Sequence, residues 1–405
     1  MNKLVIIEQL EKQLALEGHL IGVAAGSGMT AKYAERGGAD FILALSSGRY
    51  RQMGVSSLAG FMPFKNSNEL VMEFGSQEII PVVRRVPVVF GLCATDVTLH
   101  LDSYLDLIEA HGFAGINNYP TIGMMDGQYR EALEEAGLSF DKEVEAIRLA
   151  SEKQLFTVAF VFNAEQAEKM LHAGADVICA HLGFTKGGVL GAKKVLSLKE
   201  GALLAREVFA ACEEQTRAKQ PFYMVYGGPI STPIDVKTMY SLTGAHGYIG
   251  GSSFERIPVE DTIVKTAFDF KRAGVSSQDG DLKRHMEELR QHYDYVSFVK
   301  EYVAEHYHED ITFSEIARLA HVSRTYLSAL FKKEVGYPFS AYLTEIRMSK
   351  AKECMQEGHV KLADVASLVG YNDYVHFSKM FKKQFGLSPR AYQQQLEPKQ
   401  EQDEA

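Results

Sequence analysis

At 405 residues the chain is long enough for two or three domains, and 46% hydrophobic with 23% charged residues provides for a sizeable core. No segment approaches the roughly 20 uninterrupted apolar residues of a membrane helix, the opening MNKLVIIEQLEKQ carries no secretory signal, and Cys93, Cys179, Cys212 and Cys354 are too scattered for a zinc spacing or a disulfide framework; a reduced, cytoplasmic protein with no membrane partner is the expectation. The net charge of −9 is uneven: residues 311–396 carry about +5 and residues 1–310 about −11, the asymmetry of a protein of which one part meets phosphate.

Residues 1–275 alternate short apolar runs with charged, helical stretches, the pattern of βα units around a parallel sheet. Eight strands are predicted: Leu20–Ala25, Phe41–Ser46, Val88–Cys93, Gly115–Asn118, Phe156–Val161, Val177–His181, Tyr223–Tyr226 and Tyr248–Gly250. Eight strands in that length suit an α/β (β/α)8 TIM barrel; a doubly wound open sheet is the alternative. The connection 47–87 is long. Its front, SGRYRQMGVSSLAGFMPF, is rich in Gly and Ser, and a helix is predicted over Asn68–Val83; the whole is either a lid or a plain insertion.

Sites in such barrels lie at the C-terminal ends of the strands. Those positions hold Ser27, Ser46, Arg49, Asp96, Asn117, Asn118, His181, Thr185, Gly227, Gly228, Gly251, Ser252 and Ser253, nearly all small and polar. Glycines after the last two strands are placed to hold an anion through backbone N–H groups, so a small anionic metabolite is the expected ligand. No lysine falls inside a predicted strand, which argues against a Schiff base. His181 and Asp96 are too few for zinc, whereas one carboxylate plus a ligand's own oxygens leaves a divalent cation such as Mg²⁺ open. His181 is either a general acid/base or a core histidine.

The polar run Ala273–Lys283 marks a linker, assigned to 276–285 between a barrel at 1–275 and a second domain at 286–396; an acidic tail, 397–405, follows. A helix is predicted over Arg284–His306 with Tyr295, Phe298, Val299, Tyr302 and Val303 on one stripe, as the first helix of the second domain, a dimer seam, or both.

The second domain contains an internal repeat. ITFSEIARLAHVSRTYLSALFKKEVGYP (Ile311–Pro338) and VKLADVASLVGYNDYVHFSKMFKKQFGLSP (Val360–Pro389) align at an offset of 49 in the first helix and 50 in the second, one residue being inserted in the turn. Each copy reads as a helix, a tight turn capped by Ser323 or by Asn372/Asp373, and a second helix burying Leu327 and Phe331, or Phe377, Phe381 and Phe385. The opposite faces present Arg324, Thr325 and Ser328, then Tyr374, His376 and Lys379, where a recognition helix meets base edges; Lys332, Lys333, Lys382 and Lys383 lie further along and suit phosphates. The expected partner is a double-stranded DNA operator.

These residues resemble the AraC/XylS-type double helix-turn-helix domain over about Tyr295–Gln395. The match rests on the repeat, the central helix Ser340–Gln356 with Arg347 and Ala351, and the second-motif residues Gly370-Tyr371, Phe377, Phe381, Gly386, Ser388-Pro389 and Tyr392. Gln393 departs from it, standing where an arginine often follows the tyrosine. The resemblance implies two recognition helices in successive major grooves, about one helical turn apart. Residues from about Gly22 to Lys271 resemble the phosphoenolpyruvate hydrolase-like barrels through Asn117-Asn118-Tyr119-Pro120-Thr121, Ala180-His181-Leu182-Gly183-Phe184-Thr185, Gly227-Gly228-Pro229-Ile230 and Gly250-Gly251-Ser252-Ser253-Phe254-Glu255-Arg256. Tyr226 stands where that family often has a histidine before Gly-Gly-Pro. The expectation is a homodimeric transcription regulator with a ligand-sensing barrel. The alternative is an enzyme, a hydrolase or lyase for a phosphoenolpyruvate-like or keto-acid substrate, carrying a regulatory DNA-binding domain.

Overall fold

The computed structural model describes residues 1–215, 220–272, 295–320, 322–356 and 361–396, and the chain divides into two compact units, Met1–His292 and Tyr293–Ala405. The linker at 276–285, the start of the helix placed at Arg284–His306 and the tail at 397–405 lie outside the described residues. No helix among those described is long and apolar enough to cross a membrane.

In the first unit eight parallel strands close in chain order into a barrel, β1 (Leu20–Ala25), β2 (Phe41–Ala44), β3 (Val88–Gly91), β4 (Gly115–Asn117), β5 (Phe156–Val161), β6 (Val177–His181), β7 (Phe222–Tyr226) and β8 (Gly247–Gly250), with β8 returning to β1. Closure excludes the open sheet. Alternate residues point inward: Leu43, Val89, Val158, Phe160, Cys179, Met224, Tyr226 and Ile249 form one interior cluster. Gly22 leaves room within it, since a Cβ there would sit 2.5 Å from the Phe41 ring.

Three predicted strands stop short. Ser46 opens a helix instead of ending β2, and Cys93 and Asn118 lie past the ends of β3 and β4; β7 and β8 each begin one residue earlier than expected. A sequence gives no sign of where a ladder stops pairing when small polar residues continue it.

Helix α1 (Lys3–Glu17) precedes the first strand and was not predicted. Asn2 caps it, accepting from the Leu4 N–H, and Gly18 ends it at φ 79°. Ile6 and Leu10 pack with Leu20, Phe41, Phe156 and Phe222 at the N-terminal ends of the strands, and Lys3 pairs with Asp176 at 3.0 Å. The helix therefore closes the bottom of the barrel.

At the other end, the β2–β3 connection is ordered. It runs through α2 (Ser46–Gln52), a 3-10 turn over Ser57–Phe61, and α3 (Ser67–Phe74) continued by a π turn over Gly75–Ile79. The predicted Asn68–Val83 helix is thus shorter and broken, with Asn66 as its cap.

The second unit contains α4 (Tyr295–His306), α5 (Phe313–Leu319), α6 (Arg324–Val335), α7 (Phe339–Gln356), α8 (Leu362–Leu368), α9 (Tyr374–Phe385) and α10 (Pro389–Leu396). The buried stripe of α4 is Val296, Val299 and Val303; Tyr295, Phe298 and Tyr302 are only half-buried. Leu327, Phe331, Phe377 and Phe381 are buried as expected, and Phe385 is half-buried against Tyr392. Arg347 of α7 donates to the Tyr307 and Glu309 carbonyls, both at 2.7 Å, and lies over the Tyr371 ring. Gly370, at φ +82°, allows this: a Cβ there would come within 2.9 Å of the Arg347 guanidinium and the His308 carbonyl.

Candidate ligand site and nucleic-acid interface

The mouth of the barrel is organised by a buried ion pair. Arg51, at the end of α2, meets Glu255, which lies in a short helix, Ser252–Glu255, directly after β8. The guanidinium donates to Glu255 Oε2 through Nε at 2.9 Å, and its Nη2 lies 2.7 Å from the same oxygen in the ion pair. The other carboxylate oxygen accepts from the Gly26 N–H at 2.6 Å and the Gln52 amide at 3.1 Å. Arg51 also donates to the Ala24 carbonyl at 2.8 Å and reaches Ser47 and Ser57. Burial alone would lower its pKa, but Glu255 outweighs burial and raises it. Gly26 and Gly48 meet backbone to backbone here, since a Cβ on Gly26 would fall 1.9 Å from the Gly48 carbonyl carbon.

Around this pair stand aromatic side chains. His181 stacks on Tyr226 with ring centroids 4.5 Å apart and touches Phe160 and Phe162. Phe61, from the 3-10 turn, meets Tyr119 at 5.3 Å and Phe184 at 5.8 Å. Burial pushes the phenols of Tyr119 and Tyr226 upward, so both stay protonated at neutral pH. Burial also drives His181 down to about 3, so its ring is neutral. Its Nδ1 accepts from the Gly183 N–H at 3.1 Å, which leaves the proton on Nε2.

The predicted barrel residues divide. His181, Thr185, Gly227 and Gly228 come together where the loops after β6 and β7 interlock, and Gly251 sits against Arg51 and Tyr226. The Gly228 N–H donates to the Gly183 carbonyl at 2.9 Å, so that amide serves the loop instead of an anion. Asn117 is buried with its Nδ2 donating to the Val158 carbonyl and its Oδ1 unpartnered among the described residues. Asn118 ties β4 to β5 through both directions of hydrogen bonding with Phe160.

The others lie apart. Ser27 caps a helix, Gly28–Arg36; Ser46 accepts from Ser67; Arg49 pairs with Glu78 at 3.0 Å; Ser252 is buried in the short helix after β8; and Ser253 bonds the Tyr248 hydroxyl. Asp96 lines a separate cavity of about 430 Å³ with Phe61, Asn66, Thr95, Thr121 and Tyr129. Burial would raise its pKa, but bonds from Thr98, Asn66 and Asn68 hold it below the usual carboxylate range. Both its oxygens accept hydrogen bonds, and no group of three His, Cys, Asp or Glu side chains that could hold a metal ion converges among the described residues.

Sequence reasoning missed Arg51, Glu255 and Glu143. The first two are 204 residues apart and follow no spacing rule; their signal was a charge inside each Gly/Ser-rich strand-end run. Glu143 is buried behind the loop after β4, accepting from Asn118, Thr121 and the Ile122 N–H, and burial pushes it up to about 7 against those bonds.

In the second unit Ser323 and Asp373 cap α6 and α9, each accepting from N–H groups of the first turn. Asn372, the other candidate cap, is exposed before the helix. Arg324, Thr325, Ser328, Lys332 and Lys333 are exposed on α6, as are Tyr374, His376, Lys379, Lys382 and Lys383 on α9. The cations share those faces with no carboxylate partner in any ion pair among the described residues.

A closed α/β barrel in one unit, and two capped helix-turn-helix motifs with exposed polar faces in the other, define a chain that joins a barrel domain to a double helix-turn-helix domain. The chain belongs to the phosphoenolpyruvate hydrolase-like family, whose model matches residues 5–273, and a helix-turn-helix domain model matches residues 316–395. Over 273 residues, 67% of this chain, it is 40% identical to the ToMV susceptible protein tm-1(GCR26) of Solanum lycopersicum, covering 36% of that protein. It is 39% identical over 257 residues, 63% of this chain and 41% of the relative, to the y4pA protein of Sinorhizobium fredii. The chain thus spans well under half the length of these relatives. Among solved structures, the C-terminal domain of AraT, a response regulator from Geobacillus stearothermophilus, is 32% identical, covering 27% of this chain and 93% of that one at a TM-score of 0.26.

Proposed function

We propose that the protein is a sequence-specific transcription regulator whose barrel binds a small anionic metabolite and passes its occupancy to the DNA-binding domain, with the working division 1–275, 276–285, 286–396 and 397–405. The observation that carries the DNA half is the pair of capped helices with exposed Arg324, Lys379 and Lys382. For the barrel, support comes from the donors converging on one point of its mouth, the Gly26 N–H, the Arg51 guanidinium and the Gln52 amide. Glu255 holds that point now, and a ligand's anionic group would take it in exchange.

Binding is favoured over catalysis by His181. With Nδ1 accepting and the ring neutral, it offers a donor but no basic nitrogen for proton abstraction. A thermal-shift panel of small carboxylates and phosphates on the full chain tests the reading. Glu255→Gln, which leaves Arg51 without its counter-charge, is expected to tighten the best anion at least tenfold. Product formation that disappears in His181→Ala would establish the enzyme instead. Sedimentation with and without DNA distinguishes a monomer, which already carries two recognition helices, from the homodimer proposed for this regulator.

A further inference from the structure

The two recognition helices descend from one repeat, yet their first turns share no residue. At the first helical position stand Arg324 and Tyr374, at the second Thr325 and Val375, at the third Tyr326 and His376. One chemical feature survives at the second position. Threonine and valine have the same shape, and each presents a γ-methyl group. Both residues are exposed, Val375 by 58%.

Folding does not explain this valine. The core beneath α9 is made by Val365, Val369, Tyr371, Phe377 and Phe381 without it. The cap is supplied by Asp373, which accepts from the Val375 N–H at 2.8 Å. A β-branched side chain is an indifferent helix former, and this one leaves apolar surface in water between Tyr374 and His376. Its placement is nonetheless well defined, because the cap fixes the backbone of that turn.

The N-terminal turn of a recognition helix is the part that meets base edges. In the major groove the one apolar group on any base edge is the 5-methyl of thymine. A hydroxyl at this position would be adaptable; a valine has only its methyl groups to offer, and Thr325 has the same methyl in the other helix. We propose that Val375 and Thr325 each read a thymine through its 5-methyl group. Because the two helices are repeats, the two thymines occupy equivalent positions in two half-sites, about 10–10.5 base pairs apart centre to centre. This rests on the DNA-binding reading above and adds to it a specific base at a specific spacing.

The test begins by selecting duplexes from a randomised pool with the full chain. Each recurring thymine is then replaced by deoxyuridine, which removes the methyl and keeps the pairing. Wild-type protein is expected to lose about fourfold in affinity at each of two positions one turn apart, the effect of uncovering one methyl-sized group. Val375→Ala should bind the thymine duplex about fourfold more weakly and no longer respond to deoxyuridine at one position, while still responding at the other. Thr325→Ala should do the reverse, and Thr325→Val should keep full thymine sensitivity, since the methyl and not the hydroxyl is the reader. Both side chains are exposed, so the variants should melt with the wild type. Affinity indifferent to methyl removal, selected sites without paired thymines, or Val375→Ala still sensing both methyls would each overturn the proposal alone. Failure to select any sequence would overturn the DNA-binding reading with it.

Discussion

Arg324 and Lys382 illustrate two kinds of contact that residue chemistry separates. Arg324 is the first residue of α6 and exposed, where a guanidinium can pair with a guanine edge; Lys382 lies two turns into α9 on a short cationic run. Arg324→Ala is expected to weaken a selected operator about 10- to 100-fold and random DNA far less, while Lys382→Ala weakens both alike and lowers the salt slope by about one. Gel-shift titrations across salt concentrations measure both, and equal losses on the two DNAs for Arg324→Ala would remove its base-reading role. Glu143 makes a pH prediction. Its folded pKa, about 7, exceeds the ordinary 4.5, so the native state holds its proton over that window and the unfolded chain does not. Stability should therefore fall as pH rises from about 4.5 to about 7, and the fall should flatten in Glu143→Gln; denaturant midpoints across this range report it.

The elements differ in how far their sequences declare them. β1, β5 and β6 were legible to the residue because unbroken apolar runs end in Gly, Asn or a polar turn. The repeat was legible because two copies test each other: an accidental match seldom keeps both caps and both apolar faces. α1 was not, although Ile6 and Leu10 are among the most buried residues of the chain. Ile7 and Leu14 are only partly buried and Leu4, Val5 and Leu16 are exposed, so its amphipathic signal is weak and closure of the barrel explains its burial. Leu10→Ala is accordingly expected to cost about 2–5 kcal/mol, as a cavity in a core does, against well under 1 kcal/mol for Leu16→Ala; urea melts of the two variants check this.

At the scale of the whole molecule, composition and charge separated an acidic barrel from a basic helical module before any coordinate was known. They did so because each task needs its own surface: phosphate contact requires net positive charge, while a barrel mouth depends on the placement of a few groups. That placement was the illegible part. The strand ends could be located from sequence, but not that Ser27 would cap a helix, that Arg49 would turn to Glu78, or that Arg51 would turn inward. Neighbours on one short helix differ there by a rotation that only packing against Gly26 and Gly48 determines.

The enclosed Arg51–Glu255 pair also implies unequal responses to ionic strength for the two proposed activities of the chain. A cation that already holds its counter-charge projects little field beyond the barrel mouth, so dissolved salt has little there to screen. In the proposed DNA complex the lysines of α6 and α9 would release counterions, and their grip is expected to loosen steeply between 50 and 200 mM salt. Salt concentration is therefore expected to act as a dial that turns down one of the two proposed activities while leaving the other in place, and titrating along it separates the two without changing a residue.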